Sequence, residues 1–348
     1  MPILSKPKNQ FPLLKLHSVV LFNCIEHLDI LEVILFSHLS KRAKKIAKII
    51  RWSPLYIRWT SQGGPQICLR SSTDPGREYV IDYMKDEKPS EYPCFQSRLI
   101  GPQVDRFLFL KNDGNAIEGM KKMVEHICEV FRSPIRTIEI AEELLEWIIT
   151  FQPIIRFVWI CDDVITSVKS LNRIFKSLKA TDYFQLGSLA IEGKFHYTEP
   201  IPFPSISIRN SYWFTLPLIL NGNNSIILLD GSELTPKDIN TILREWQMGF
   251  KLRNLEYLKI ETFTRLDATI YVNQLFESLN LIVGIENDGR PTTIKVGDKL
   301  ISPMPHEGII FNITRSDGAI LSISGRYEEL EDNKIKLFLS LQVWRKQA

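Results

Sequence analysis

The sequence predicts an α/β chain in four parts: a helical module over residues 11–51, a β-rich connecting element over 54–112, a repeat-like α/β solenoid over 113–285, and a β-rich cap over 286–348 that includes a β-hairpin. Three observations predict it. An apolar stretch near the N-terminus is interrupted by turn and cap residues, which cut it into short helices. From about Ala116 onward helical and strand-like runs alternate, and the strands return every 20–30 residues or so. Near the C-terminus the pair Asp317-Gly318 separates two alternating runs, the pattern of a tight hairpin turn.

The N-terminal module carries the strongest signal. Sixteen of the twenty-seven residues from Leu13 to Leu39 are Leu, Ile, Val or Phe. Units below about 40 residues usually need a disulfide, a metal or a partner to be stable. This stretch is therefore expected to be covered by something outside itself. Ser18 is the expected N-cap of a first helix reaching about His27. Asp29 opens a second helix, with Glu32 three residues later completing a capping box. Ser40 caps a third helix running to about Ile50, and Ser53-Pro54 ends the helical signal, because the residue before proline avoids the α region. On the third helix Ala43, Ile46, Ala47 and Ile50 form one face, ringed by Lys41, Lys44, Lys45, Lys48 and Arg51. The run Lys41 to Lys45 reads as a solvated helix face or as a nuclear-import or acidic-partner signal. His17, His27 and His38 are not spaced as metal ligands on one helix face and read as surface or rim residues.

These residues carry a resemblance. The run from Leu16 to Arg42 resembles an F-box, the motif that docks substrate receptors onto cullin-RING ubiquitin ligases. Leu16 opens the motif, Val20-Leu21 and Ile25 fall on its first helix, Leu28-Asp29 on the turn, Val33 and Leu35 on the second helix, and Ser40-Lys41-Arg42 at the start of the third. Phe11-Pro12-Leu13-Leu14 is similar to the lead-in of the nematode F-box families. The family usually has Leu-Pro where this chain has Leu16-His17, and proline there fixes the chain's path into the first helix. The resemblance implies a Skp-type adaptor as partner, contacted by Leu13, Leu16, His17, Val20, Leu21, Ile25, Leu28, Val33, Leu35 and Leu39.

After Pro54 the pattern turns to strands: Leu55 to Thr60, then a Gly63-Gly64-Pro65 turn, Gln66 to Arg70, and Glu78 to Tyr83, read together as a small antiparallel element. The charged stretch from Asp86 to Pro93 reads as a loop. Helices are then expected at Ile117 to Phe131, Ala141 to Thr150, Ile165 to Lys179, Pro236 to Met248 and Tyr271 to Leu279. Strands are expected at Arg136 to Ile140, Arg156 to Ile160, Gly187 to Ile191, Pro204 to Ile208, Ser225 to Leu229 and Leu255 to Ile260. The period matches a degenerate leucine-rich-repeat-like horseshoe, with parallel strands inside and helices outside, although the strict Asn or Cys position is missing.

Thr235-Pro236 with Asp238 opens one of these helices: a capping Thr, Pro at the first helical position and an acid in the first turn. Trp246, Gly249 and Leu255-Glu256-Tyr257-Leu258 follow. This succession is similar to the F-box-associated domain, type 2, and Arg315-Ser316-Asp317-Gly318 resembles that domain's terminal hairpin.

Composition excludes several classes. A formal charge of +3 over 348 residues is too small for nucleic acid to be the main partner. Five scattered cysteines without a C-x-x-C pair argue against a disulfide framework or a zinc site and suit a reducing compartment, the cytoplasm or nucleus. The longest apolar region, Trp147 to Ile160, is broken by Gln152, Pro153 and Arg156, so no membrane span is expected. No phosphate-binding glycine loop, metalloprotease motif or nucleophile elbow is present. The paired acids Glu142-Glu143 and Asp162-Asp163 read as helix-start complements. No catalytic residue, metal or cofactor is expected. The solenoid is expected to hold a target protein. Most of the run Tyr212, Trp213 and Phe214 reads as packing of the solenoid, but three consecutive aromatics cannot all point inward from a helix or a strand, so the three are also candidates for that contact. Trp246 and Tyr257 are read as core. The alternative to a ligase subunit is a repeat-type interaction scaffold that never enters a ligase.

Overall fold

A computed structural model of the chain describes residues 13–61, 63–84, 94–100, 103–111, 114–193, 195–284, 289–303, 309–331 and 334–345. The expected loop from Asp86 to Pro93 and the lead-in residues Phe11 and Pro12 lie outside them. The chain divides into two compact units, Met1–Arg136 and Thr137–Ala348.

The first unit opens with a 3-10 turn, Leu13–Lys15, and three short helices: α1 (Ser18–Glu26), α2 (Ile30–His38) and α3 (Lys41–Ile49). Two starts follow the expected chemistry. Asp29 accepts from the Glu32 amide while the Glu32 carboxylate accepts from the Asp29 amide, at 2.9 and 2.8 Å. Ser40 Oγ accepts from the Ala43 amide at 3.1 Å. The first helix differs from expectation. Ser18 is already helical, and His17 stands at the N-cap with φ −59° and ψ 143° and no side-chain bond to the helix.

Five strands and a long helix follow: β1 (Leu55–Thr60), β2 (Gln66–Ser71), β3 (Glu78–Met84), β4 (Cys94–Ile100), β5 (Gln103–Lys111) and α4 (Ala116–Phe131). The sheet order is β1-β2-β3-β5-β4. β1, β2 and β3 pair antiparallel as expected, but β5 runs parallel to β3, so the element is mixed. β4 and β5 have no counterpart in the sequence reading. Ile57, Trp59, Ile67, Leu69, Ile81 and Leu108 share one buried face, and α4 packs on the sheet through β2. α4 also packs against α2 and α3. Part of the N-terminal module is therefore covered within the chain, by α2 and α3 on each other and by α4 on both.

The second unit is a parallel ladder in chain order, joined to an antiparallel end. Its elements are β6 (Ile135–Ile140), α5 (Glu142–Phe151), β7 (Ile154–Ile160), α6 (Val168–Ser177), β8 (Lys179–Leu186), β9 (Ser205–Ile208), α7 (Leu216–Asn221), β10 (Ile226–Ser232), α8 (Pro236–Met248), β11 (Tyr257–Thr264) and α9 (Ala268–Leu275). Then come β12 (Ile282–Val283), β13 (Ile294–Val296), β14 (Lys299–Ile301), β15 (Phe311–Thr314), β16 (Ala319–Glu329) and β17 (Ile335–Arg345). β6 through β11 lie side by side in sequence order, each pair parallel. β17 docks antiparallel on β11 and extends the sheet through β16, β15 and β12.

Register separates the two faces of the ladder. Ile138, Ile140, Val158, Ile160, Phe184, Leu186, Ile206, Ile208, Ile227, Leu229, Leu258 and Ile260 are all buried on one face. Phe175 of α6 meets Phe184 edge-on at 5.8 Å, which places that helix over this face. The opposite face alternates polar and large residues, among them Glu139, Trp159, Gln185, Ser207 and Lys259. The small β13–β14 hairpin covers part of it, with Val296, Ile294 and Ile301 against Phe157, Tyr183, Ile226 and Tyr257.

Several expected elements moved. Gly187 to Ile191 is not a strand; the strand lies just before it, at β8, in register with β7 from Phe157↔Tyr183 to Ile160↔Leu186. A ladder position is set by pairing with both neighbours, and that outweighs the local apolar pattern. α6 starts at Val168, with the Ser167 hydroxyl accepting from the Ser170 amide, so Asp162 and Asp163 do not open a helix. α9 begins three residues before the expected start and ends at Leu275. α7 and β17 were not anticipated. Among the described residues no helix is long and apolar enough to cross a membrane.

Candidate functional site

The N-terminal module sorts the expected contact residues into two groups. Leu21, Ile25 and Val33 are buried between helices. Leu13, Leu16, Leu28 and Leu35 are half-buried. His17 is exposed, Val20 is 49% exposed and Leu39 is 73% exposed. The first group holds the module together; the others keep part or most of their surface in solvent. Val19, at 60% exposure, belongs with the exposed group and is not among the residues the sequence singles out. Its place off the face that Leu21 and Ile25 share at i, i+4 spacing is the signal that would have found it.

Polar contacts lock this module to α4. Lys44 and Lys48, one turn apart on α3, both reach Glu129, the latter at 2.8 Å. Their hydrogen bonds draw the Glu129 carboxyl down to about 2. His38 stacks on His126 with ring centroids 3.8 Å apart, and His126 Nε2 lies 2.6 Å from Ser37 Oγ. Burial, then His38 and Lys44, lowers the His126 pKa to about 4. His38 is exposed at the rim, as expected, and from there stacks onto α4. Asp29 forms an ion pair with Arg106 of β5. The basic run is thus only partly a solvated face: Lys41, Arg42 and Lys45 are exposed, whereas Lys44 and Lys48 are engaged.

In the second unit the structure joins two stretches singled out separately in the sequence. α8 ends at Gly249, whose φ of 79° is the left-handed cap that glycine supplies without strain. Trp246, fully buried at that helix end, receives the Arg315 guanidinium over its ring at 4.8 Å from the centroid. Arg315 forks onto both Asp317 oxygens at 2.9 Å, and Arg345 reaches Asp317 Oδ2 at 2.7 Å. The Arg315 hydrogen bonds, followed by the Ala319 amide, hold the Asp317 carboxyl far below its ordinary range. The helix end and the Asp-Gly hairpin therefore form one joint.

The aromatic candidates behave unequally. Trp213 and Phe214 are buried in a cluster with Phe195, Tyr197, Phe175, Phe184 and Phe203, so they offer no surface to a target. Tyr212 remains half-buried, with its ring edge-on to Phe195. The three do not run on as one regular element: Tyr212 sits in a turn, which lets its neighbours face inward while it stays near solvent. Trp246 and Tyr257 are core, as expected. Asp162 accepts from the Ser188 amide at 2.7 Å and pairs with Arg209 at 3.1 Å. Among the described residues no group of three His, Cys, Asp or Glu side chains is placed to hold a metal ion.

Residues 13–52 match the family model for the F-box domain, and residues 198–260 match the family model described as F-box associated. The first match takes in the three helices of the N-terminal module; the second runs from just before β9 into β11 and includes α8 with its Trp246 and Gly249 end. No curated protein and no solved structure matches the chain.

Proposed function

We propose that this chain, which matches an F-box protein with an F-box-associated domain of type 2, is the substrate-receptor subunit of an SCF-type cullin-RING ubiquitin ligase. The match over residues 13–52 carries the reading, on a module that closes its own interior yet keeps Val19, Val20 and Leu39 in solvent. In this reading residues 11–51 dock a Skp-type adaptor, 54–112 connect, 113–285 present the target and 286–348 cap the sheet. We read the parallel ladder as a degenerate leucine-rich-repeat-like solenoid, a reading supported by strands that follow one another in sequence order. The chain makes no covalent intermediate. It holds target and ubiquitin donor near each other, which replaces a bimolecular encounter by a local one. It works as a soluble cytoplasmic or nuclear subunit.

The test is co-expression with a Skp-type adaptor. The wild-type chain is expected to co-purify with it. Val20→Glu combined with Leu39→Glu, both on exposed positions, should abolish the complex while leaving the melting temperature unchanged. Absence of any complex with the wild-type chain, or a complex indifferent to both substitutions, overturns the reading. A second reading, an interaction scaffold outside any ligase, is favoured by His17 at the cap where the family has proline. It expects the two substitutions to leave every partner in place.

A further inference from the structure

We propose that the edge of the second unit formed by the loop before β11, the loop before β10 and the Asp-Gly hairpin is a docking cleft for an acidic peptide segment of the target. The inference deepens the receptor reading and rests on it for the occupant's identity as a target; the chemistry of the cleft stands apart from adaptor docking.

Two adjoining concavities of about 720 and 510 Å³ are both lined by Arg253, Arg315 and Arg345. A third, of about 310 Å³, shares Arg253 and adds Lys251. Against these four cations stand the carboxylates of Asp317 and Glu256. Asp317 is already claimed by two of the arginines. The described residues of the edge therefore keep an excess of positive charge. Arg315 is 8% exposed, and among the described residues no acceptor lies within hydrogen-bonding distance of its Nη1. Arg253 anchors itself by donating from Nε to the Gly249 carbonyl at 3.0 Å, a bond that does not use its two terminal nitrogens.

The apolar component points the same way. Phe250 is 74% exposed and Met248 53% exposed, side by side on the rim of the middle concavity. A guanidinium fork recognises carboxylates in the plane of the group, and an exposed aromatic beside it is a typical anchor for an apolar side chain. A peptide that alternates acids with an apolar residue satisfies both. A nucleic acid is the weaker fit. Two carboxylates stand among the cations, and a chain of net charge +3 lacks the field that a polyanion uses.

The full chain, purified without adaptor, is titrated against a fluorescent peptide of Glu interrupted by single Leu residues. The comparison ligands are the same peptide with Gln for Glu and a single-stranded RNA of similar length. The acidic peptide is expected to bind, and the Gln peptide to bind at least about tenfold more weakly. Arg253→Glu should weaken acidic-peptide binding by a similar factor, and Phe250→Ser should weaken it independently. Lys169→Glu, at an exposed position of α6, should leave it unchanged. An acidic peptide that fails to bind, binding insensitive to Arg253→Glu and Phe250→Ser, or RNA bound more tightly than the peptide overturns the proposal. Because no adaptor is present, failure here leaves the co-expression result untouched, and failure there leaves this one.

Discussion

Glu129 and Asp317 are each held between two cations, and the two arrangements do different work. Glu129 lies between Lys44 and Lys48, with side chains 47%, 30% and 36% exposed. Asp317 lies between Arg315 and Arg345, and here one cation, Arg315, is 8% exposed, forked onto both carboxylate oxygens and stacked on Trp246. Exposed ammonium pairs are flexible, hydrated and worth little. A buried guanidinium with fixed geometry also packs, and it loses packing, ring contact and hydrogen bonds together when removed. The number of ion pairs is the same in each cluster, so burial and shape decide which of them the fold depends on.

The largest expected effect breaks that comparison if it fails. Arg315→Ala should lower unfolding free energy by about 3 kcal/mol, from the loss of a desolvated ring contact, its packing and its charge-assisted hydrogen bonds. Arg315→Lys should recover less than half of that, because an ammonium cannot fork onto Asp317. Urea unfolding of the full chain reads both. If Arg315→Ala costs no more than Glu129→Ala, the buried joint is no stronger than the surface cluster.

How much of this could be read beforehand depends on how local the cause is. Capping is local: the Asp29–Glu32 box, the Ser40 cap and the Thr235 cap with Asp238 in its first turn are all legible in the sequence, and α8 begins and ends where expected. The Asp317-Gly318 turn is local too, and the hairpin across it pairs Thr314 with Ile320. Ladder positions are not local. β8 carries Lys179, Thr181 and Asp182, which look unlike a strand until β7 and β9 flank it. Gly187 follows it because a Cβ there would come within 2.7 Å of the Asp162 amide nitrogen. The Arg315–Trp246 joint spans sixty-nine positions in the chain, and both residues were flagged only as parts of separate motifs. At the N-terminal module the resemblance supplied the contact residues, but burial alone separates Leu21, Ile25 and Val33 from Val20 and Leu39.

The Glu129 cluster borders an uncharged stack, which gives the next effect. His126 sits between His38 and Ser37, with Lys44 and Glu129 as its charged neighbours. Its folded pKa of about 4 is below the ordinary value of 6.5, so the unfolded chain binds more protons between those limits. The stability this group contributes is therefore complete above pH 6.5 and is lost as pH falls toward 4. The loss should be on the order of 2 kcal/mol. His126→Gln, which can still bond Ser37 but does not titrate, should flatten the curve in that window. An unchanged slope would show that the acid sensitivity lies elsewhere.

Glu129→Gln should be a small effect by contrast, under about 1 kcal/mol and smaller still in high salt, since all three side chains are substantially exposed. A loss comparable to that of Arg315→Ala would erase the distinction between the two clusters.

The smallest expected change is a gain, and it asks whether backbone geometry contributes more to the N-terminal module than its surface charges. His17 holds φ at −59°, inside the range that proline enforces, and precedes the helical ladder without bonding it through its side chain. None of the described backbone bonds is donated by its amide, so proline removes no hydrogen bond there. His17→Pro should therefore stabilise the chain by about 0.5 kcal/mol, by restricting the unfolded state and leaving the native one alone. It should also raise adaptor co-purification, because the lead-in Leu13 to Leu16 would be held at the start of α1 before binding. A destabilised variant would mean that Leu16 cannot adopt the extended backbone a following proline requires. A stabilised variant with unchanged adaptor binding would mean that the lead-in is already ordered when the partner arrives.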